Sequence, residues 1–114
     1  MKDDKVFIRH ILDEVNYIIK ESKDLKIEDL MKNETLKRAL IRSLEIIGGA
    51  TKNLSKSFRE KHSDIEWREM SALRDKLIHK YFGVNWNRVW DVIENFIPKL
   101  KGQMEAILKE VEEI

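Results

Sequence analysis

The sequence predicts an all-α domain, a four-helix up-down bundle with one short extra helical turn. Apolar residues recur three and four positions apart along most of the chain, the spacing that places them on one side of a helix. Charged residues make up 38% of the chain, and one Pro and four Gly leave long uninterrupted segments. This composition suits helices with solvated outer faces. We expect residues 1–114 to form a single domain.

The first helix is predicted over residues 4–22, where apolar residues keep helical spacing without a Pro or Gly. A connector over residues 23–33 follows and contains a short helical turn at residues 27–31. Asn33 or Thr35 can cap the second helix, because either side chain can accept a hydrogen bond from a main-chain N–H of the first turn.

The second helix is predicted to continue to Lys61 and contains the interior pair Gly48-Gly49. Each interior glycine destabilises a helix by roughly 1 kcal/mol relative to alanine, so the pair needs a structural reason. One reason is the close backbone approach of a crossing helix or a slight kink. The other is room for a ligand or for a second subunit.

The third helix is predicted over residues 65–82, and Asn85 can cap the last one. The last helix has the longest apolar seam in the chain, but Pro98 lies inside it and should kink it or remove one hydrogen bond. Apolar residues cover more than one side of this helix. We therefore expect a homodimer to bury what so short a chain leaves exposed.

Composition and charge exclude several classes of protein. The net charge is +1, so any contact with nucleic acid must come from a local patch. The absence of Cys excludes disulfides and thiolate metal sites. The N-terminus lacks the pattern of a signal peptide and no apolar run is long enough to span a membrane, so we expect a soluble cytoplasmic protein. No glycine loop for phosphate and no metal-ligand motif is present, and we expect neither cofactor nor metal.

The segment over residues 73–83, LRDKLIHKYFG, is the part of the chain that indicates chemistry. Arg74 falls inside the apolar arc of the third helix, and a guanidinium there needs an anion because an unpaired buried charge is very costly. His79 is a residue type that can take and return a proton near neutral pH. Asp75, one turn earlier, is placed to accept a ring N–H of His79 and orient the imidazole.

Together, Arg74 and His79 suffice for metal-free cleavage of RNA. The imidazole deprotonates the 2′-OH, that oxygen attacks the adjacent phosphorus, and the guanidinium stabilises the negative transition state. The alternative is structural: Arg74 pairs with a core carboxylate and His79 caps the C-terminus of the helix. On an ideal helix the two side chains diverge by about 140°, so two copies facing each other across a dimer axis make a better site than one chain.

Tyr81 and the cations around this pair can each be interpreted in two ways. Tyr81 is either a core aromatic residue with its hydroxyl at the rim or a phenol inside the same pocket. Cations outnumber acids between residues 68 and 88, which suits a phosphate backbone, although a solvated helix face gives the same pattern. The candidate RNA-binding residues are Arg68, Lys76, Lys80 and Arg88.

The motif RDKLIHKY matches R-x4-H-x-Y, and with its flanks, Trp67-Arg68 before it and Phe82-Gly83-Val84 after it, the chain resembles the HepT-like toxins of the HEPN superfamily. The resemblance covers nearly the whole chain. It implies a helical homodimer whose two motifs line one cleft. It also implies a metal-independent endoribonuclease, with Arg74 and His79 as the catalytic residues.

The resemblance further implies a partner and a modification. The partner is a minimal nucleotidyltransferase, the MNT antitoxin, which transfers AMP from ATP to the motif tyrosine, here Tyr81. The chain departs from the family pattern at Gly49, where a Glu is usual. A second reading from another class is a non-catalytic subunit that presents a nucleotide or substrate to a nucleotidyltransferase.

Overall fold

Helices account for nearly all of the residues that the structure, a computed structural model, describes: 2–79 and 83–112. No strand occurs in these ranges, so the all-α prediction is confirmed. None of the described helices is long and apolar enough to cross a membrane. The helices are α1 (Lys2–Ser22), α2 (Ile27–Met31), α3 (Glu34–Asn53), α4 (Lys56–Lys61), α5 (Trp67–His79), α6 (Trp86–Asp91) and α7 (Ile97–Glu112), with a π-helical turn (Val92–Phe96) joining α6 to α7.

The four main helical segments, α1, α3, α5 and the continuous α6–α7 segment, enclose the core. Helix α3 packs against both α1 and α5, and α1 packs against α7. The buried side chains are apolar residues at helical spacing, and each one that is fully buried contributes about 1.5–3 kcal/mol to folding. They include Ile8, Ile11, Val15 and Ile18 of α1, Leu40, Leu44 and Ile47 of α3, Met70 and Leu77 of α5, and Ile97, Leu100 and Met104 of α7.

Capping side chains start the helices largely where the sequence predicted. The short turn at residues 27–31 is confirmed as α2. Asn33, rather than Thr35, caps α3, and Asn85 caps α6. Each asparagine Oδ1 accepts a hydrogen bond from the main-chain N–H three residues later, at 3.0 Å and 3.2 Å respectively.

The second helix does not run to Lys61, and this prediction is wrong. Helix α3 ends at Asn53, Leu54 is extended, and Ser55 caps the separate helix α4. The buried carboxylate of Asp4, on α1, accepts hydrogen bonds from the main-chain N–H and the Oγ of Ser55, both at 2.8 Å. Because these bonds hold Ser55 against α1 while the Leu54 side chain is buried in the core, the chain leaves helical geometry at this point.

Helix α5 begins at Trp67, two residues later than predicted, and the described part ends at His79. The indole N–H of Trp67 donates to the main-chain carbonyl of His62 at 2.9 Å, so this buried ring anchors the start of the helix to the preceding turn. Residues 80–82, the predicted end of the helix, lie outside the described residues.

The last helical segment accommodates Pro98 by forming a π-helical turn just before it. In the π-helical turn Val92–Phe96 the Ile97 N–H donates to the Val92 carbonyl, five residues back. Pro98 has no N–H, and its ring crowds the carbonyl four residues before it. A wider turn before a proline provides room for that ring. The predicted disturbance therefore takes the form of a π-helical turn, and helical geometry continues on both sides of it.

The Gly48-Gly49 pair lies where α3 and α5 meet. A Cβ built on Gly48 would collide with the Arg74 Cβ and lie 2.8 Å from the Met70 carbonyl oxygen of α5. Only a residue without a side chain allows this separation of the two helices. Of the two reasons considered for the pair, close helix approach is the one that the structure shows at Gly48.

Replacing Gly48 with Ala is expected to destabilise the protein, whereas the same change at Gly102 is expected to stabilise it. Overpacking at Gly48 costs about 1–3 kcal/mol. Gly102 lies in α7 with nothing within 4 Å of a Cβ, so Ala there gains about 0.5–1 kcal/mol of helix propensity. Urea unfolding of both variants measures the difference, and equal effects at the two positions would contradict the close approach.

Candidate active site

Arg74 lies on α5 at the border between core and solvent. Its side chain is 32% exposed, and Nη1 lies 3.4 Å from Oδ1 of the neighbouring Asp75. The Asp75 side chain is half exposed, so the anion is not the core carboxylate of the structural alternative. Ile78, an apolar residue one turn after Arg74 on α5, is 44% exposed. The Arg74 side of α5 is therefore open to solvent near its C-terminal end.

Asp75 is the residue that connects the groups of the site. Its Oδ1 accepts a hydrogen bond from Lys52 Nζ, at the end of α3, at 2.6 Å, and faces Arg74 as well. The hydrogen bond from Lys52 lowers the pKa of the Asp75 carboxyl below its ordinary value, and the charge of Arg74 acts in the same direction. These effects exceed the opposing effect of desolvation.

The lowered pKa determines when this ion pair is present. A carboxyl whose pKa is lower in the folded state than in the unfolded state stabilises the fold above the unfolded-state pKa and loses that contribution as the pH falls through the folded-state pKa. The Lys52–Asp75 pair is therefore intact at neutral pH and persists to a lower pH than the ordinary pKa of an aspartate would allow.

His79 is exposed on the last described turn of α5. Its Nδ1 lies 2.8 Å from the main-chain carbonyl oxygen of Asp75. The predicted hydrogen bond from the His79 ring to the Asp75 carboxylate is therefore wrong: that carboxylate binds Lys52, and the carbonyl of the same residue holds the imidazole. The physical reason is that the carbonyl four residues back is within hydrogen-bond distance of Nδ1, whereas the carboxylate is bound by Lys52 of α3.

The contact with a carbonyl fixes the tautomer of neutral His79. A carbonyl oxygen can only accept a hydrogen bond, so Nδ1 must carry the proton in this contact. The lone pair of the neutral ring is then on Nε2, and no other described residue is hydrogen-bonded to the His79 ring. An exposed imidazole with an unprotonated Nε2 is the form that can act as a general base.

A cleft of about 250 Å³ opens beside Arg74, between α1, α3 and α5. Its wall includes Phe7, Gly49, Asn53, Arg74 and Ile78. A Cβ built on Gly49 would lie 3.4 Å from the Arg74 Nε, so a larger side chain there would reduce the space beside that nitrogen. His79 does not line the cleft, so the two predicted catalytic side chains lie on different sides of one helix.

Three of the four predicted RNA-binding cations lie on the described parts of α5 and α6. Arg68, Lys76 and Arg88 are exposed. Lys76 and Arg88 line a second cavity of about 240 Å³, between α5 and the start of α6, and Arg74 lines the first. Lys80 and Tyr81 lie outside the described residues, so the role predicted for each stays a prediction.

Lys52 is the site residue that sequence reasoning missed. It was one of many lysines on predicted outer faces, and nothing in its local pattern marks it. The available signal was its spacing from Gly48: four residues later, it lies on the same face of α3. That signal becomes useful only once Gly48 is known to face α5, which is a tertiary fact.

No group of three or more His, Asp and Glu residues able to hold a metal ion occurs within residues 2–79 and 83–112. Lys52, Arg74 and Asp75 instead meet on one side of α5, and the imidazole of His79 lies on another side of the same helix. Such a set can bind a phosphate and move a proton. It therefore suits chemistry at a phosphodiester.

Comparisons with known proteins agree with this chemistry. A family model described as "Ribonuclease HepT-like" matches residues 11–107. The chain is 49% identical over 109 residues to a protein of Caldanaerobacter subterraneus subsp. tengcongensis named "Putative RNase", covering 96% of this chain and 97% of that protein. It is 39% identical over 105 residues to the "Probable ribonuclease HepT" of Thermococcus cleftensis, covering 92% and 96%. No solved structure is significantly similar to the chain. The resemblance inferred from the R-x4-H-x-Y motif is confirmed.

Proposed function

We propose that this chain, which belongs to the HepT-like ribonuclease family, is a metal-independent endoribonuclease that acts in the cytoplasm as the toxin of a type VII-like toxin–antitoxin pair. The observation that carries the proposal is the contact of His79 Nδ1 with the Asp75 carbonyl, 2.8 Å long. It leaves Nε2 as the basic nitrogen of an exposed imidazole, five residues from a guanidinium that faces an open cleft.

The reaction needs one base, one cation and the RNA itself. His79 Nε2 takes the proton from a ribose 2′-OH, and the O2′ attacks the adjacent phosphorus while the P–O5′ bond breaks. Arg74 donates hydrogen bonds to the phosphoryl oxygens, on which negative charge develops in the transition state. The products are a 2′,3′-cyclic phosphate and a 5′-OH, whose proton comes from an imidazolium or from water.

A dimer makes this chemistry geometrically reasonable. Arg74 and His79 are five residues apart, about 140° around α5, so one chain directs them apart. A second copy packed on the exposed side of α5 brings the motif of one protomer beside that of the other. Ile78, between Arg74 and His79 and 44% exposed, supplies apolar surface for such a contact.

Replacing Ile78 with Asp is expected to weaken self-association, because a carboxylate in an apolar interface loses its hydration without gaining a partner. Met31 is comparably exposed on α2, and Met31→Asp is the matched control. Sedimentation equilibrium measures the mass of each variant. A wild type that is monomeric while cleaving RNA would exclude the composite cleft.

Unmodified wild-type protein is expected to cleave tRNA or a defined oligoribonucleotide in excess EDTA. His79→Ala should lower the rate by about 10²–10⁴-fold, the usual contribution of a general base. His62→Ala is the matched control, because the His62 ring packs on Phe58 with centroids 4.7 Å apart and lies outside the proposed site.

The outcomes of this assay separate the two classes of function. Equal cleavage by wild type and His79→Ala would mean a contaminant or a different site. No cleavage by unmodified wild type would favour the alternative reading, a non-catalytic subunit that binds a nucleotide or substrate for a nucleotidyltransferase. Nucleotide binding that depends on Arg74 would then be the decisive measurement.

Control of the toxin is proposed to occur at Tyr81, through transfer of AMP from ATP by an MNT-type nucleotidyltransferase antitoxin. Tyr81 lies two residues after His79 in the motif. AMP on its hydroxyl would add negative charge and bulk close to the proposed catalytic groups, and would exclude the RNA backbone.

Incubation with the cognate nucleotidyltransferase and ATP is expected to add AMP to the wild type and to abolish its cleavage of RNA. The chain has two tyrosines, which provides a matched pair of variants. Tyr81→Phe should show no mass increase and resist inactivation, whereas Tyr17→Phe should behave as the wild type. Intact-mass spectrometry reads the result, and modification of Tyr81→Phe would contradict the assignment.

A further inference from the structure

Two cations from different helices share one carboxylate oxygen at the site. Lys52 Nζ lies 2.6 Å from Asp75 Oδ1, and Arg74 Nη1 lies 3.4 Å from the same atom. The lysine contact is a short charge-assisted hydrogen bond, and the arginine contact is a single long one. Asp75 is therefore bound chiefly by Lys52, although Arg74 is its neighbour in sequence.

Within residues 2–79 and 83–112, this arrangement leaves most of the Arg74 guanidinium without a hydrogen-bonded partner. A guanidinium has five N–H donors in a planar fork, and among the described residues Asp75 is its one anionic contact. Pairs of arginine and carboxylate are frequently bidentate, with two parallel hydrogen bonds. Such a pair would occupy the donors that a phosphate needs.

Helix α3 determines both the position of Arg74 and the position of Lys52. Gly48 brings α3 against the Cβ of Arg74, and Lys52, one turn later on the same face, reaches Asp75. The local charge follows from this packing, since two cations face one carboxylate and leave a net charge of +1. Without Lys52, Arg74 and Asp75 would neutralise each other.

We propose that Lys52 is a positioning residue that occupies the Asp75 carboxylate and thereby keeps the Arg74 guanidinium available for a phosphate of the RNA. This inference rests on the proposed ribonuclease function for its substrate, but the competition between Lys52 and Arg74 for Asp75 exists without any substrate. Lys52 acts through its neighbours and need not touch the RNA.

The test in RNA cleavage is a second-site rescue. Lys52→Met should raise KM more than it lowers kcat and reduce kcat/KM on the order of tenfold, within the range for residues of one ion-pair network. Lys52→Arg, which keeps the cation, should retain most of the activity. Asp75→Asn added to Lys52→Met should recover much of the loss, because an amide cannot neutralise Arg74. If Lys52 binds RNA directly, the second change will give no recovery, and the proposal is overturned.

A titration of the Asp75 carboxyl by NMR tests the competition without RNA. In Lys52→Met the pKa of Asp75 should stay below its ordinary value, because Arg74 replaces Lys52 as the partner. It should rise to the ordinary value only in Lys52→Met/Arg74→Ala. A rise already in Lys52→Met would show that Arg74 does not take over, and would overturn the proposal even if the wild type proved inactive on RNA.

Two controls separate this effect from damage to the fold. The Lys61–Glu110 pair also joins two helices and is also solvent-exposed, with the Lys61 Nζ 3.6 Å from Glu110 Oε1. Lys61→Met should leave kcat/KM and the Asp75 titration unchanged. Exposed ion pairs contribute little to stability, so thermal unfolding of both lysine variants should match the wild type.

Binding of a 2′-O-methyl oligoribonucleotide, which lacks the attacking hydroxyl, tests the proposal without cleavage. Binding should weaken in Lys52→Met and recover when Asp75→Asn is added. Equal binding by all forms would overturn the proposal.

Discussion

The close packing of α3 on α5 is the constraint on which the candidate site depends. Gly48 permits it, because any side chain there would collide with the Arg74 Cβ and the Met70 carbonyl. The contact holds the main chain of Arg74 against α3. It also brings Lys52, one turn further along α3, to the carboxylate of Asp75. Gly48, which weakens α3 locally, thus permits the helix packing that places these side chains.

Asp75 makes two kinds of contact, one through its side-chain carboxylate and one through its main-chain carbonyl. Its carboxylate is bound by Lys52 and approached by Arg74, and the hydrogen bond from Lys52 lowers its pKa. Its main-chain carbonyl holds the Nδ1 of His79. The cation and the base of the proposed reaction are therefore connected through one residue. In the dimer proposed above, a second copy would bring the diverging side chains of Arg74 and His79 into one site.

Helix boundaries show how tertiary contacts change a local pattern. Residues 34–61 read as one continuous helix in sequence, yet α3 ends at Asn53 because the Asp4 carboxylate holds Ser55. The π-helical turn Val92–Phe96 is a smaller case, since Pro98 marks the place of the disturbance but not its form. Where a polar side chain from a distant segment binds the backbone, the spacing of apolar residues does not predict where a helix ends.

The sequence by itself determined the all-α class, the cap at Asn85, the core seams and the family, because helical spacing, a capping residue and the R-x4-H-x-Y motif are local properties of the chain. It also selected Arg74 and His79 for the chemistry. Only the three-dimensional structure decided which atoms meet, since Lys52 of α3 takes the Asp75 carboxylate from a segment that is distant in sequence. It replaced the expected carboxylate–imidazole bond with a carbonyl contact, and it brought Lys52 from α3 to Asp75 across 23 positions of sequence.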